Sequence, residues 1–343
     1  MDLTLGQEQE AVRDAIRTFL ADRMPMTRVR AVMAEEVGID DGVWREAVGL
    51  GWLALALPES AGGAGYGLPE AMLLFVELGR ALAPGPWLGS VLAADALSGV
   101  AALRDVHVKL LAGTYRAAVI DDPADTLGTG ASITGEARGV ADGGVAGGFL
   151  VLGRKSVRFM TREGCDVSVE PSMDPTRRLA RLRFSGTPAQ AVGDRAEALR
   201  RAGTVLAAAE AVGVAERALE TSVAYAKVRE QFGKPIGSFQ AIKHRCADMA
   251  VRTEVARSAV TWASVAVRDE LPDADFHVHV AKTLATSAAL TNATDNVQNH
   301  GGMGYTWEAD AHLYLKRARL LEHTFGTRTA HLDTIAAPWR AAP

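Results

Sequence analysis

The chain has 343 residues, of which 48% are hydrophobic and 23% charged, with a formal net charge of −4. That balance suits an ordinary soluble chain of two or three domains and leaves no basic footprint for a nucleic-acid partner. The two cysteines, Cys165 and Cys246, lie far apart with no CxxC, and no histidine pair shows HExxH spacing, so a disulfide framework and a metal site are both excluded as readings and a reducing compartment is expected.

The opening MDLTLGQEQE carries acids early and no apolar core, unlike a secretory leader, and no stretch reaches the roughly 18 apolar residues of a membrane span. No membrane partner and a cytoplasmic location are expected. Residues 7–20 place Val12, Ile16, Phe19 and Leu20 on one helical face, and Asp41-Gly42 opens a second helix through Trp44, Val48 and Leu50. A glycine-rich stretch from Pro58 to Gly67 follows. No GxGxxG or GKS/T pattern follows a strand there, so it reads as a connector and not as a phosphate cradle. A helix with Leu74, Leu78 and Leu82 on one side then runs from Leu68 to the breaker Pro84-Gly85-Pro86, and another apolar helix spans 90–97.

From about 111 to 194 the character changes to short β-branched runs at 117–120, 131–134, 148–152 and 179–184, predicting an antiparallel sheet or small barrel. Beyond Arg195 the chain is helical again: an alanine-rich run to Arg229, then 239–269, 276–300 and 307–322. Four long helices with short connections predict a bundle. The fold class is therefore α+β, with an N-terminal helical domain over 1–111, a reduced middle β-domain over 112–194 and a C-terminal four-helix bundle over 195–343.

Two stretches carry chemistry. In the first, Tyr225 to Gln240 (YAKVREQFGKPIGSFQ), a long helix ends, Gly233 and Pro235 enforce a turn, and Ser238 is placed to cap the next helix. Arg229 near the helix end suits the dipole, and its planar fork equally suits pyrophosphate oxygens. In the second, Gln298 to Glu308 (QNHGGMGYTWE), the glycines permit close backbone approach, or simply end a helix.

The pair, RxQFGxPIGSFQ followed by QxxGGxGYTxE, resembles the C-terminal domain of acyl-CoA dehydrogenases. The PExxGGxGYG loop at 58–67 and MDPTRRLARLRF at 173–184 fall in the family's order, so the resemblance covers nearly the whole chain. It implies a helical–β–helical subunit packed as a dimer of dimers, a tetramer in which FAD lies against one subunit's β-domain and a neighbour closes over its adenosine diphosphate part. The matching FAD-binding positions are Arg229, Gln231, Phe232, Gln240, Gln298, Gly301 and Gly302, with Arg229 on the pyrophosphate and Gln298 on a polar edge. It further implies α,β-dehydrogenation of an acyl-CoA or acyl-carrier thioester in lipid metabolism, with an electron-transfer flavoprotein as acceptor.

The chain departs from this pattern where proton abstraction is done. The α-proton of a thioester needs a desolvated carboxylate. In most members that glutamate precedes a Gly-Thr pair, and here Phe325 precedes Gly326-Thr327. The alternate position in a second branch of the family matches Gly203. Glu210 lies seven residues on, roughly 10 Å along a helix, and Glu322-His323 reads as a helix-end charge pair. The Thr-Glu-Pro, Gly-Ser-Asp and Trp-Ile-Thr segments are also missing from the shortened middle region, which hints at a bulky acyl group such as a sterol or polyketide-derived thioester. Some bacterial members divide base and arginine motif between two subunits, and this chain resembles the base-lacking kind, so a second acyl-CoA dehydrogenase-family subunit is the expected partner. The alternatives are a self-sufficient flavoenzyme with another base or another flavin reaction, such as oxygenation or N-hydroxylation, and a flavin-free assembly module.

Overall fold

The computed structural model describes residues 3–340. The chain divides into two compact units, one of residues 27–71 and 84–203, the other of residues up to 26, 72–83 and from 204 onward.

In the first unit, α2 (Met26–Ala34), α3 (Asp41–Gly49), α5 (Trp87–Leu97) and α6 (Arg104–Leu111) accompany the strands. The Asp40 carboxylate caps α3 by accepting from Gly42 N and Val43 N at 2.9 and 3.0 Å. Trp44 and Trp87 pack with ring centroids 4.5 Å apart and Trp52 lies 5.6 Å from Trp87, a shared apolar load that buries all three rings. Helix α5 is buried on nearly every side, and a Cβ on its Gly89 would stand 2.5 Å from Ala117 O, so this glycine sets how closely α5 lies on β1.

The strands form two sheets. One has the order β1-β3-β4-β7, from β1 (Ala117–Asp121), β3 (Gly148–Leu152), β4 (Val157–Thr161) and β7 (Gln190–Gly193); the other is β2-β6-β5, from β2 (Ser132–Ala141), β6 (Leu179–Pro188) and β5 (Cys165–Glu170). The expected single antiparallel sheet or barrel is corrected here: β1 pairs with β3 in parallel, and the sheets are separate. Between them Ile120, Phe149, Val151, Met160, Leu182 and Phe184 form one core. The MDPTRRL stretch locks this unit together. Arg177 is 5% exposed and donates to Asp142 Oδ2 at 2.7 Å and Gly85 O at 2.9 Å, while Arg178 donates to Met33 O, Glu35 O and Pro175 O.

Arg158 on β4 is different. It is 2% exposed, its Nη1 makes one long 3.4 Å bond to Gly130 O, and its buried Nε and Nη2 have no partner among the described residues. Unmet buried donors oppose folding. Arg158→Met is therefore expected to leave the chain as stable or raise its stability by about 1 kcal/mol, read as a rightward shift of the denaturant midpoint; a loss above that size would show that the guanidinium is satisfied in solution.

The second unit contains α1 (Gln7–Arg23), most of α4 (Leu68–Ala81), α7 (Ala196–Val228) from residue 204, α8 (Gln240–Arg268), α9 (Ala274–His300), α10 (Ala311–Leu321) and α11 (Arg328–Arg340). Alanine-rich α7 is buried on all sides from 203 to 216, which makes it the axis of the bundle. Helices α4 and α7 touch backbone to backbone. A Cβ on Gly79 would stand 2.0 Å from Glu210 O, and one on Gly213 would stand 1.9 Å from Val76 O. Beside this crossing lies a charge network. Arg80 reaches Glu216 at 2.9 Å and Glu220 at 2.8 Å, Arg257 reaches Glu216 at 2.9 Å, and Arg17 reaches Glu77 at 2.7 Å. Burial pushes the Glu216 carboxyl up, against Arg257 and Arg80, which hold it down.

Two further expectations change. The last predicted helix begins at Ala311 and not at 307, because Gly301–Tyr305 forms a 3-10 turn, and α11 adds a fifth helix to the predicted four. Among the described residues, no helix is long and apolar enough to cross a membrane.

Candidate functional site

The two motifs meet at one end of the helical unit. Where α7 stops, β8 (Glu230–Gln231) and β9 (Lys234–Pro235) form a minimal hairpin. Its two tip residues, Phe232 and Gly233, have φ of 55° and 75°, the positive pair demanded by a tight two-residue turn. Holding Phe232 in that region orients its ring outward, 91% exposed, edge-on to Phe239 at 6.0 Å, with Lys234 over the Phe239 ring. The hairpin closes through Ile236 N to Arg229 O at 2.7 Å. Ser238 does not cap the next helix: it ends a 3-10 turn, and Phe239 holds the N-cap place with no side-chain bond.

Arg229 is exposed, and among the described residues nothing pairs with its guanidinium. Gln231 folds back on Glu230 O at 2.8 Å, and Gln240 is exposed in the first turn of α8. On the other motif, exposed Gln298 lies in the last turn of α9. Gly301 ends that helix at φ 60°, and open space surrounds the Cβ positions of both Gly301 and Gly302. Tyr225 and His300 join the two stretches by stacking, with centroids 4.2 Å apart. Behind them Asn299 donates to Ser222 Oγ at 2.6 Å and accepts from Arg245 at 2.7 Å. Both joining rings lie inside the quoted stretches, but only the tertiary packing reveals that they meet.

The two positions that the resemblance assigns to a base hold Gly203 and Phe325. Gly203 is buried in α7. Phe325 has φ 55°, is 9% exposed, and its carbonyl accepts from His331 Nε2 at 3.0 Å. Glu210 is held at 2.6 Å by Arg317, with 2% and 0% exposure respectively, so its carboxylate is engaged in a buried ion pair. Glu322 pairs with Arg319 at 2.9 Å, which replaces the expected Glu322-His323 pair.

Comparison with known proteins bears on this geometry. Residues 200–338 match the model of the acyl-CoA dehydrogenase C-terminal domain, and residues 6–103 that of the acyl-CoA dehydrogenase N-terminal domain. The chain is 38% identical over 327 residues to acyl-CoA dehydrogenase IpdE2 of Mycobacterium tuberculosis, covering 92% of each chain. Among solved structures, it is similar to the ChsE4-ChsE5 complex from Mycobacterium tuberculosis (29% identity, TM-score 0.90, 100% of each chain). It is also similar to a variant of the Tcur3481-Tcur3483 steroid ACAD (30% identity, TM-score 0.88, 99% of this chain and 100% of that one).

Proposed function

The chain belongs to the acyl-CoA dehydrogenase family, oxidoreductases acting on CH–CH bonds, and from that premise we propose that it is the base-lacking subunit of a heteromeric FAD-dependent acyl-CoA dehydrogenase. The observation that carries the reading is the contrast between its two ends of chemistry. The Arg229 guanidinium is exposed and unpaired, the backbone at Gly301 and Gly302 is open, and the stacked Tyr225 and His300 rings join the two stretches that carry them, while the Phe325 and Gly203 side chains offer no proton acceptor.

These residues fit a dinucleotide. Arg229 presents a free fork to pyrophosphate oxygens. Gln298 and Gln240 supply amides for polar edges, and the two glycines admit a close backbone approach. Gln231 and the outward Phe232 ring line the same hairpin. FAD, when bound, supplies the hydride acceptor; the residues of this chain grip and orient it, and the partner subunit supplies the carboxylate that takes the α-proton. The two-component names of the ChsE4-ChsE5 and Tcur3481-Tcur3483 neighbours support a second family subunit, and the steroid in the latter name supports a bulky acyl thioester. Electron-transfer flavoprotein is the proposed acceptor.

The test is flavin stoichiometry and assembly mass, for this chain alone and with a base-bearing family subunit. One FAD per two chains in an active mixed tetramer, and little flavin in the lone chain, is the expected result. A yellow homo-oligomer with one FAD per chain that oxidises an acyl thioester by itself would overturn it.

A further inference from the structure

Helix α11 is tied to α9 by an unusual contact. His279 Nδ1 and His331 Nδ1 lie 2.7 Å apart, and the other nitrogen of His331 lies 3.0 Å from Phe325 O. A carbonyl only accepts, so His331 carries its proton on Nε2 and donates it there. Its Nδ1 is then a bare lone pair, and the hydrogen bond between the rings requires His279 to donate from Nδ1. A further proton on His331 Nδ1 breaks that bond, since two N–H groups would then face each other.

The surroundings resist that proton. His331 is 5% exposed. Lys282 on α9, 1% exposed, donates from Nζ to Leu321 O at 2.7 Å at the end of α10. Of the groups that act on His331, Lys282 and His279 are cationic or potentially so, and the Phe325 and Gly326 backbone favours its charged form. Glu322, at the end of α10, acts on Lys282.

We infer that the His279–His331 pair is a pH-sensitive latch that holds α11 against α9 while His331 is neutral and releases it when His331 takes up a proton. The inference is independent of the heteromer reading. Burial, then Lys282 and His279, pushes His331 from an ordinary 6.5 down to about 4. The released or unfolded ring therefore binds protons more readily than the docked one, and docking weakens as pH falls from about 6.5 toward about 4. Within that window each pH unit favours release by about tenfold.

The measurement is hydrogen exchange of the backbone amides of 328–340 between pH 7 and 4.5, corrected for intrinsic rates. Protection there is expected to fall up to about 100-fold, ahead of α7 and α8. His331→Gln, whose neutral amide keeps a donor toward Phe325 O and cannot charge, is expected to flatten the dependence. Should that variant fold poorly, nitrogen NMR of the wild-type ring reads the same claim: a proton on Nε2 and titration well below 6.5 support the latch. An unaltered pH dependence in a folded His331→Gln variant, or a His331 ring titrating at its ordinary value, overturns it.

Discussion

Arg317→Met is expected to destabilise the helical unit by about 3–5 kcal/mol. Arg317 on α10 and Glu210 on α7 are both shut away from water at 2.6 Å. Truncating the arginine strands a carboxylate in the most densely buried part of α7, and an ion without its partner costs far more than the intact pair contributes. The double replacement Glu210→Leu with Arg317→Met removes both charges and is expected to recover most of the loss, because apolar side chains pack well in such a place. Denaturant melts of the two single variants and the double variant measure this. Equal midpoints for Arg317→Met and the parent chain would show that the pair is hydrated in solution. The same cycle separates Glu210 from any role as a base, since the double variant is expected to retain the activity of the assembled enzyme.

In the assembled complex, Arg229→Ala is expected to weaken FAD about tenfold to a hundredfold, the worth of a charge-assisted hydrogen bond lost from a phosphate. The side chain is exposed and unpaired, so the melt of the lone chain should not move. Arg229→Lys keeps the charge without the fork and should restore affinity in part. Flavin release followed by its fluorescence gives the readout. Unchanged flavin affinity together with an unchanged melt would reduce Arg229 to a hairpin residue and favour the flavin-free assembly module.

The long elements were legible because their signals are local. Alanine content and apolar spacing mark α7, α8 and α9, and the Pro84-Gly85-Pro86 breaker sits three residues past the end of α4. Helices α2 and α6 escaped notice because they are short and bury little: Val29 and Val32 in one, Leu110 in the other. Strands β4 and β5 are short and pair with their neighbours β3 and β6, edge strand β7 draws its identity from β4, some thirty residues before it, and the parallel pairing of β1 with β3 has no local mark at all. The site shows the same division. Arg229 and the Gly301-Gly302 turn could be picked out as a pattern. The stacking of Tyr225 on His300, the tie of Arg317 to Glu210 and the pairing of His279 with His331 are properties of the packed bundle. Ser238 looked like a cap because serine is a good one, but the 3-10 turn over Ile236–Ser238 moves the helix start past it.

The backbone contact of α4 with α7 has a consequence for how this sequence can drift. Gly79 and Gly213 each occupy a place where the opposite helix puts a carbonyl. No side chain, however small, fits at either without prying the helices apart. Because Arg80 adjoins Gly79 and its carboxylate partner Glu216 lies one turn from Gly213, such a shift would also stretch the Arg80–Glu216 bond. Neither glycine can be traded for a compensating change at the other, as two large and small side chains in a core can be. The two positions therefore vary together with the whole charged cluster or not at all, and descendants of this chain that lose one of them should show a rebuilt crossing and not a single altered residue.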